Sequence, residues 1–445
     1  MAEALPVMLK EALREKLADS LLSPLPSATH RRVYGAIGLP GKATAVIGIR
    51  RSGKTTFLHQ LRREREAGGT SRNHMPYFNF EDERLVGLRA AHLGFVVEEY
   101  RRQFPDIEAS NVTWCFDEIQ VVPGWERFVR RLLDAESNVL VTGSSAALLS
   151  REIATALRGR AWEVPLYPFS FEEALSHRGQ QVPADPSFLE GKERAQMESA
   201  FLDWLMEGGF PEAQGLDIAS RHQLLRDYVD VAMLRDVVER HNVTNVTGLR
   251  WMVRHLLSNP AALFSVEKFY GALKSQGVAI SKDTVHALLA HLEDCFLVRT
   301  VWMESGSERQ RMVNPRKAYP VDSGLIPVFD RTGRSNRGHA LETAVLVELE
   351  RRRTDVTYVR TSSGYEVDFL ARNAEGESEL IQVCAEANDP ATAEREFRAL
   401  AEAGSLHPKA RQRLLTLTRD AMPAESPPGI LVQPAYEWFL SGPDR

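Results

Sequence analysis

The sequence predicts a multidomain α/β protein, and three observations carry that prediction. Short apolar runs alternate with helical patterns from residue 41 to about 175, as in a parallel sheet flanked by helices. The chain then reads as helical over 196–241 and returns to strand patterns after about residue 335. At 445 residues with 43% hydrophobic content, it has room for roughly two to four domains with ample cores.

The elements follow in order. Residues 7–20 form an amphipathic helix, expected to be exposed, which Pro24 and Pro26 end. The apolar runs Ala43–Ile47, Tyr77–Phe80, Val112–Phe116, Val139–Thr142 and Trp162–Leu166 are strands. Residues 176–194 hold Gly179, Pro183, Pro186 and Gly191 and read as a linker. Leu225, Val229, Ala232 and Met233 recur at helical spacing, and Gly208-Gly209-Phe210-Pro211 turns the chain between two such helices. Residues 249–303 give three short helices, with Ser265 and Ser281 as N-caps, and then a strand. Phe296–Val301 and Arg316–Val321 pair around a basic, polar loop. Beyond 335 come a helix at Ala340–Leu349, strands at 356–360, 366–371 and 379–384, a helix at 390–402 and strands at 414–417 and 430–432.

Composition narrows the function classes. A net charge of −5 does not announce a nucleic-acid binder, although local patches still matter. Cys115, Cys295 and Cys384 lie far apart with no CxxC pair, which argues against a zinc ribbon or a disulfide framework and for buried thiols in a reducing cytosol. The first residues lack a basic run followed by an apolar core, and no apolar run is long enough to span a bilayer, so a cytoplasmic protein is expected.

Gly48-Ile49-Arg50-Arg51-Ser52-Gly53-Lys54-Thr55 has the spacing of a phosphate-binding loop, with a strand before it and a helix after it. The glycines let successive N–H groups face a phosphate, and the helix N-terminus adds partial positive charge. Gly48, Arg50, Arg51, Ser52, Gly53, Lys54, Thr55 and Thr56 are the candidate nucleotide contacts. Lys54 would reach the β- and γ-phosphates, and Thr55 would offer a hydroxyl to Mg²⁺. Val112–Phe116 ends in Asp117 and Glu118: Asp117 would hold Mg²⁺ beside Thr55, and Glu118 would direct the attacking water. Val139–Thr142 runs into Gly143-Ser144-Ser145, where Ser144 or Thr142 senses the γ-phosphate or its water, or else Ser144 or Ser145 merely caps a turn. Arg158 and Arg160, around Gly159, are candidate arginine fingers, Arg160 the stronger, often acting across a subunit interface and so implying a homo-oligomer.

These segments resemble the bacterial and archaeal AAA-type ATPase family whose C-terminal domain, of unassigned function, is related to PD-(D/E)xK nucleases. The matching stretches are Gly48–Thr56, Tyr77–Leu85, Phe116–Trp125, Val141–Leu149, Leu157–Arg160, Pro168–Phe171, Gly208–Glu212, Gly338–Glu342, Tyr365–Leu370 and Leu380–Cys384. The resemblance implies ATP and Mg²⁺ as cofactors and a particular layout. An N-terminal helical segment (1–40) precedes a P-loop AAA-like ATPase core (41–175) and a helical lid or linker (176–248). A winged-helix-like module (249–330) and a restriction-endonuclease-like α/β domain (331–445) come next.

In the winged-helix reading, the helix from Ser281 enters a DNA groove and Arg309, Arg311, Arg316 and Lys317 contact phosphates. That helix offers the nearly neutral set Lys282, Asp283, His286, His291 and Glu293, so a packing or protein-interaction module stands equally. In the nuclease-like domain Glu342 and Asp368 match the family's metal-binding acids, while the acid-x-Lys element reads Gln382-Val383-Cys384. Cys384 cannot replace an ammonium, and Glu366 adds an acid on the same face but no cation, so hydrolysis there is not expected. The sequence is read as a Mg²⁺-dependent ATPase whose nucleotide state drives attached modules on DNA or a partner protein. The alternatives are a slow nucleotide switch and, less favoured, an ATP-coupled nuclease.

Overall fold

The computed structural model describes residues 5–143, 157, 159–330 and 336–442, so Ser144, Ser145 and Arg158 lie outside the described residues. The chain divides into two compact units, Met1–Leu166 and Tyr167–Arg445.

In the first unit, helix α1 (Val7–Leu22) has an exposed outer face, but Leu13 and Leu17 are buried, which corrects the expectation of an exposed helix. Its apolar stripe packs on β2 (Tyr77–Asn79) and α3 (Gly94–Gln103). The sheet takes β1 (Ala43–Ile47), β2, β3 (Thr113–Asp117), β4 (Asn138–Gly143) and β5 (Ala161–Pro165) in the order β2-β3-β4-β1-β5. Every pair is parallel. Strands covered on both faces must be apolar throughout, and all five residues of β1 and of β3 are buried. Helices α2 (Lys54–Ala67) and α4 (Trp125–Asp134) complete the layers. Parallel pairing gathers all the strand carboxyl ends at one edge, so Gly48, Asp117, Glu118 and Gly143 collect there from distant parts of the chain.

The second unit begins with α5 (Phe171–His177), whose Ser170–Glu173 capping box closes its first turn, and α6 (Gly191–Glu207). Helix α7 (Ile218–Val231) continues without a break into a π-helical stretch, Ala232–Glu239. Next come α8 (Val246–Ser258), β6 (Leu263–Phe264), α9 (Val266–Ser275) and α10 (Lys282–Asp294). Ser265 and Ser281 cap α9 and α10 by accepting the backbone N–H of Lys268 and Thr284. Strand β7 (Val298–Met303), the short α11 (Glu308–Val313) and β8 (Arg316–Pro320) form a hairpin, with α12 (Leu325–Phe329) after it. The remainder is α13 (Arg337–Arg351), β9 (Asp355–Arg360), β10 (Glu366–Arg372), β11 (Ser378–Val383), α14 (Pro390–Leu406), β12 (Arg411–Thr416), β13 (Ile430–Pro434) and α15 (Ala435–Leu440).

The hairpin is joined to the C-terminal strands rather than standing apart from them. Trp302 and Met303 of β7 pair in parallel with Thr357 and Tyr358 of β9. One mixed sheet therefore runs β13-β12-β11-β10-β9-β7-β8-β6. Helix α13 crosses it and buries nearly its whole length, with Leu341, Val345, Leu346 and Leu349 in the main apolar core.

The Gly208-Gly209 turn shows why glycine is needed there. The Gly209 N–H donates to Asp322 Oδ2 at 2.7 Å, and the Gly209 carbonyl accepts the Phe169 N–H at 2.6 Å. A Cβ on Gly209 would lie 2.2 Å from the Phe169 carbonyl oxygen. Gly209→Ala should therefore cost at least about 1–3 kcal/mol, read as a lower midpoint in urea unfolding. Gly271→Ala, in α9 with nothing within 4 Å of the added carbon, is the control and should be neutral or slightly stabilising.

Candidate functional site

The loop after β1 leaves the strand at Gly48, where a Cβ would come within 2.2 Å of the Leu166 carbonyl oxygen. Arg51 (φ +68°) and Gly53 (φ +95°) take left-handed backbone, which curls the loop before α2 begins at Lys54. Lys54 is buried, and its Nζ donates to the carbonyls of Gly48 and Ile49 at 3.0 Å each. Ser52 Oγ is buried with no hydrogen-bond partner. Arg50 reaches Glu81 at 3.4 Å, while Thr56 lies in the first turn of α2. A curled backbone at a helix N-terminus, a buried lysine beside it and an orphaned hydroxyl together suit a phosphate chain.

Asp117 is the hub of the strand ends. Its Oδ2 accepts from Thr55 Oγ1 at 2.8 Å and from the Tyr77 hydroxyl at 2.8 Å, and its Oδ1 accepts from Thr142 Oγ1. Thr142 in turn accepts the Glu118 N–H at 3.0 Å. Thr142 is thus buried and committed to Asp117 and Glu118, rather than standing free to contact a water. Thr55 and Asp117 offer one hydroxyl and one carboxylate, hard oxygen donors that suit a nucleotide-bound Mg²⁺.

Glu118 holds a left-handed backbone (φ +52°), which is uncommon outside glycine. Burial pushes its carboxyl above the ordinary carboxylate range, against the nearby Lys54 ammonium, which pulls it down. Gln120 Nε2 donates to Glu118 Oε2, a contact that favours the ionised form.

Sequence reasoning missed Tyr77, Gln120 and Arg31. Arg31 is buried, with Nη1 donating to the Ser52 carbonyl at 2.6 Å and its N–H to Gln60 Oε1 at 2.7 Å, so the segment before β1 braces the loop. No local pattern marks an arginine that acts across 21 residues, whereas Gln120 lay in plain view two residues beyond the acid pair.

Arg160 lies at the other end of the sheet, where its carbonyl accepts the Ala43 N–H at the start of β1. Its guanidinium pairs with Asp134. It is therefore not brought to the loop of its own chain.

A second cluster gathers in the other unit. Lys317 Nζ, only 4% exposed, contacts Asp368 Oδ1 at 2.8 Å, Glu366 Oε1 at 2.8 Å and Glu342 Oε1 at 3.0 Å. The Tyr319 hydroxyl donates to Glu342 at 2.8 Å. This corrects the expectation that the acids lack a cation: it comes from β8, a different strand from the one that carries Gln382 and Cys384. Burial pushes the Glu342 carboxyl upward, Asp368 adds to that, and Lys317 opposes it. Gln382 joins through structural bonds, accepting the Asp368 N–H at 3.3 Å and donating to Glu396 at 2.7 Å. Cys384 is half-buried rather than buried, and its Sγ donates to the Glu386 carbonyl at 3.3 Å instead of entering the cluster.

The expected DNA-facing cations are largely consumed. Arg316 stacks on Trp302 with its guanidinium 3.5 Å from the ring centre and approaches Glu293 at 3.6 Å. Arg311 approaches Glu308 at 3.8 Å, and Lys282 pairs with Glu267 at 2.5 Å. Lys317 is in the buried cluster, which leaves Arg309 of the original set.

Against known proteins, a family described as an AAA domain matches residues 40–175, and a domain of unknown function, DUF8612, matches residues 198–335. An uncharacterized protein of Methanocaldococcus jannaschii is 34% identical over 371 residues, covering 82% of this chain and 79% of that protein. The chain belongs to this AAA-domain family. An uncharacterized protein of Haemophilus influenzae is 28% identical over 334 residues, 74% of this chain and 79% of its own. Among solved structures, the Walker-type ATPase of Pyrococcus abyssi shares 15% identity, covers 72% of this chain and 95% of its own, and has a TM-score of 0.39. Aeropyrum pernix ORC1, solved with DNA, shares 14% identity over 73% of this chain and 92% of its own, with a TM-score of 0.28. The AAA core is a P-loop ATPase fold, and nucleotide binding belongs to it. Among the described residues, no helix is long and apolar enough to cross a membrane.

Lys317→Met would leave three carboxylates without their cation. It should cost about 3–5 kcal/mol, measured by urea unfolding. Asp368→Asn on that background should recover part of the loss, because it removes one of the stranded charges.

Proposed function

We propose that the protein hydrolyses ATP at the strand ends of the AAA core and uses the nucleotide state to move its second unit. The observation that carries this is the convergence of Lys54, Thr55, Asp117 and Glu118 at one edge of the parallel sheet. Lys54 meets the β- and γ-phosphates, while the N–H groups of Gly53, Thr55 and Thr56 line the anion's path. Mg²⁺, held by Thr55 and Asp117, neutralises phosphate charge when it is bound. Tyr77 and Thr142 fix the Asp117 carboxylate, so its orientation is set before substrate arrives. Glu118 directs water at the γ-phosphate, and Gln120 holds that carboxylate in place.

An arginine finger from Arg160 requires a second copy of the chain, because within one chain it sits at the far end of the sheet. Residues 249–330 are assigned as a winged-helix-like module engaging DNA, and 331–445 as a nuclease-like module that does not cut. The position where Glu342, Glu366 and Asp368 converge is filled by the Lys317 ammonium, which supports a joint in the sheet over a hydrolytic centre.

Multiple-turnover phosphate release should be seen in the wild type and lost in Glu118→Gln, with ATP affinity retained. No turnover in the wild type, with or without DNA, would replace this reading with a slow nucleotide switch. Gln120→Ala removes a donor to the charged form of Glu118. The acidic limb of the kcat–pH profile should therefore move to higher pH, with ATP affinity unchanged.

A further inference from the structure

The faces expected to hold nucleic acid have spent most of their cations, but another face of the same unit has not. Helix α7 with the start of its π continuation, helix α8 and the end of α12 line an open cavity of about 670 Å³. Buried Val229, Met233 and Val253, with Phe329, give it an apolar lining. Arg226 of α7 and Arg250, Trp251 and Arg254 of α8 line it as well. Among the described residues, none of these three guanidiniums has a hydrogen bond or an ion pair. Trp251 is 50% exposed, although it is large and apolar.

The arrangement follows from helical spacing. Arg250 and Arg254 are one turn apart on α8, and Trp251 and His255 repeat that step beside them. Arg226, Val229, Asp230 and Met233 form the matching stripe of α7 and its π continuation. Asp230 and Asp330 also line the cavity, and Asp330 already accepts from Asn336 Nδ2 at 2.8 Å. Burial holds His255 below the ordinary histidine range, so it stays neutral near pH 7. Three guanidiniums against two carboxylates leave an excess of positive charge, in a cavity of ligand-binding size.

All the cations here are arginines, whose planar forks match phosphate oxygens and which also stack on flat rings. An exposed indole among such cations offers a face for a nucleobase. In a duplex the base faces are already stacked on one another, so the indole can be used only by an unstacked base. We propose that this cavity holds a single-stranded nucleic-acid segment, with Arg226, Arg250 and Arg254 on its phosphates and Trp251 against a base. The proposal rests on the reading that the second unit engages DNA, and it moves that engagement away from α10 and the hairpin.

The test is fluorescence anisotropy of the full chain with a labelled oligothymidine and with a labelled duplex, without nucleotide. The wild type should bind the single strand at least about tenfold more tightly than the duplex. Trp251→Ala should weaken binding by about 10- to 100-fold, in line with the loss of one base stack. The Arg250→Glu/Arg254→Glu variant should abolish binding, and Arg309→Glu on the hairpin loop should leave it within about twofold of wild type. Trp251→Phe, which keeps an aromatic face, should bind more tightly than Trp251→Ala, and this holds the comparison if the double reversal fails to fold. Glu118→Gln should bind the oligonucleotide like the wild type, so failure of the ATPase reading is told apart from failure here. Wild type that binds no single strand, a Trp251→Ala variant that binds normally, or a preference for duplex lost in Arg309→Glu would each overturn the proposal.

Discussion

One carboxylate ties the first unit together. Asp117 accepts hydroxyl hydrogen bonds from Thr55 on α2, Tyr77 on β2 and Thr142 on β4. Three elements that meet nowhere in the sequence are thereby registered at one strand end. An acceptor-only group held by three donors cannot rotate without stranding the buried Thr142 hydroxyl, at a cost of about 1–3 kcal/mol. The positions of the P-loop lysine and of Glu118, the residue directly after Asp117, are inherited from that constraint. The all-parallel sheet makes the arrangement available, because it puts every carboxyl end on one side.

The second unit is organised by a different kind of constraint. Lys317 sits on β8, while its partners sit on α13 and β10, yet the ammonium touches all three acids. Such a cluster is costly to break and only weakly favourable to make, since desolvation offsets most of the attraction. What it contributes is register: β8 has one position relative to β10, with two strands between them in the same sheet, in which the charges close. The parallel pairing of β7 with β9 serves the same end through backbone hydrogen bonds. The hairpin is thus part of the mixed sheet, and a movement of either piece must carry the other.

Much of the site was legible because its signals are local. A strand, a glycine-rich turn and a helix succeed one another within a few residues, so backbone geometry alone makes the loop recognisable. Asp117 and Glu118 at the end of an apolar strand were legible for the same reason. Ser265 and Ser281 act as caps because capping involves residues three apart in the chain. What failed to show were contacts made across the chain. Arg31 reaches Ser52, Tyr77 reaches Asp117, and Lys317 reaches Asp368 51 residues away. The buried face of α1 also escaped notice, because an amphipathic stripe does not announce which surface will cover it.

The sequence by itself determined the alternation of strands and helices, the phosphate loop and the order of the acids beyond it. Periodicity and turn chemistry operate over a few residues, and that range is enough for those features. Only the tertiary structure decided which charges are free. Arg316 and Lys317 looked like an exposed basic pair, yet one stacks on Trp302 and the other is buried among three acids. Arg226, Arg250 and Arg254 carry no local pattern that sets them apart in the sequence, yet they line one cavity. A charge read along the chain has a sign but no partner, and the partner is what fixes its chemistry.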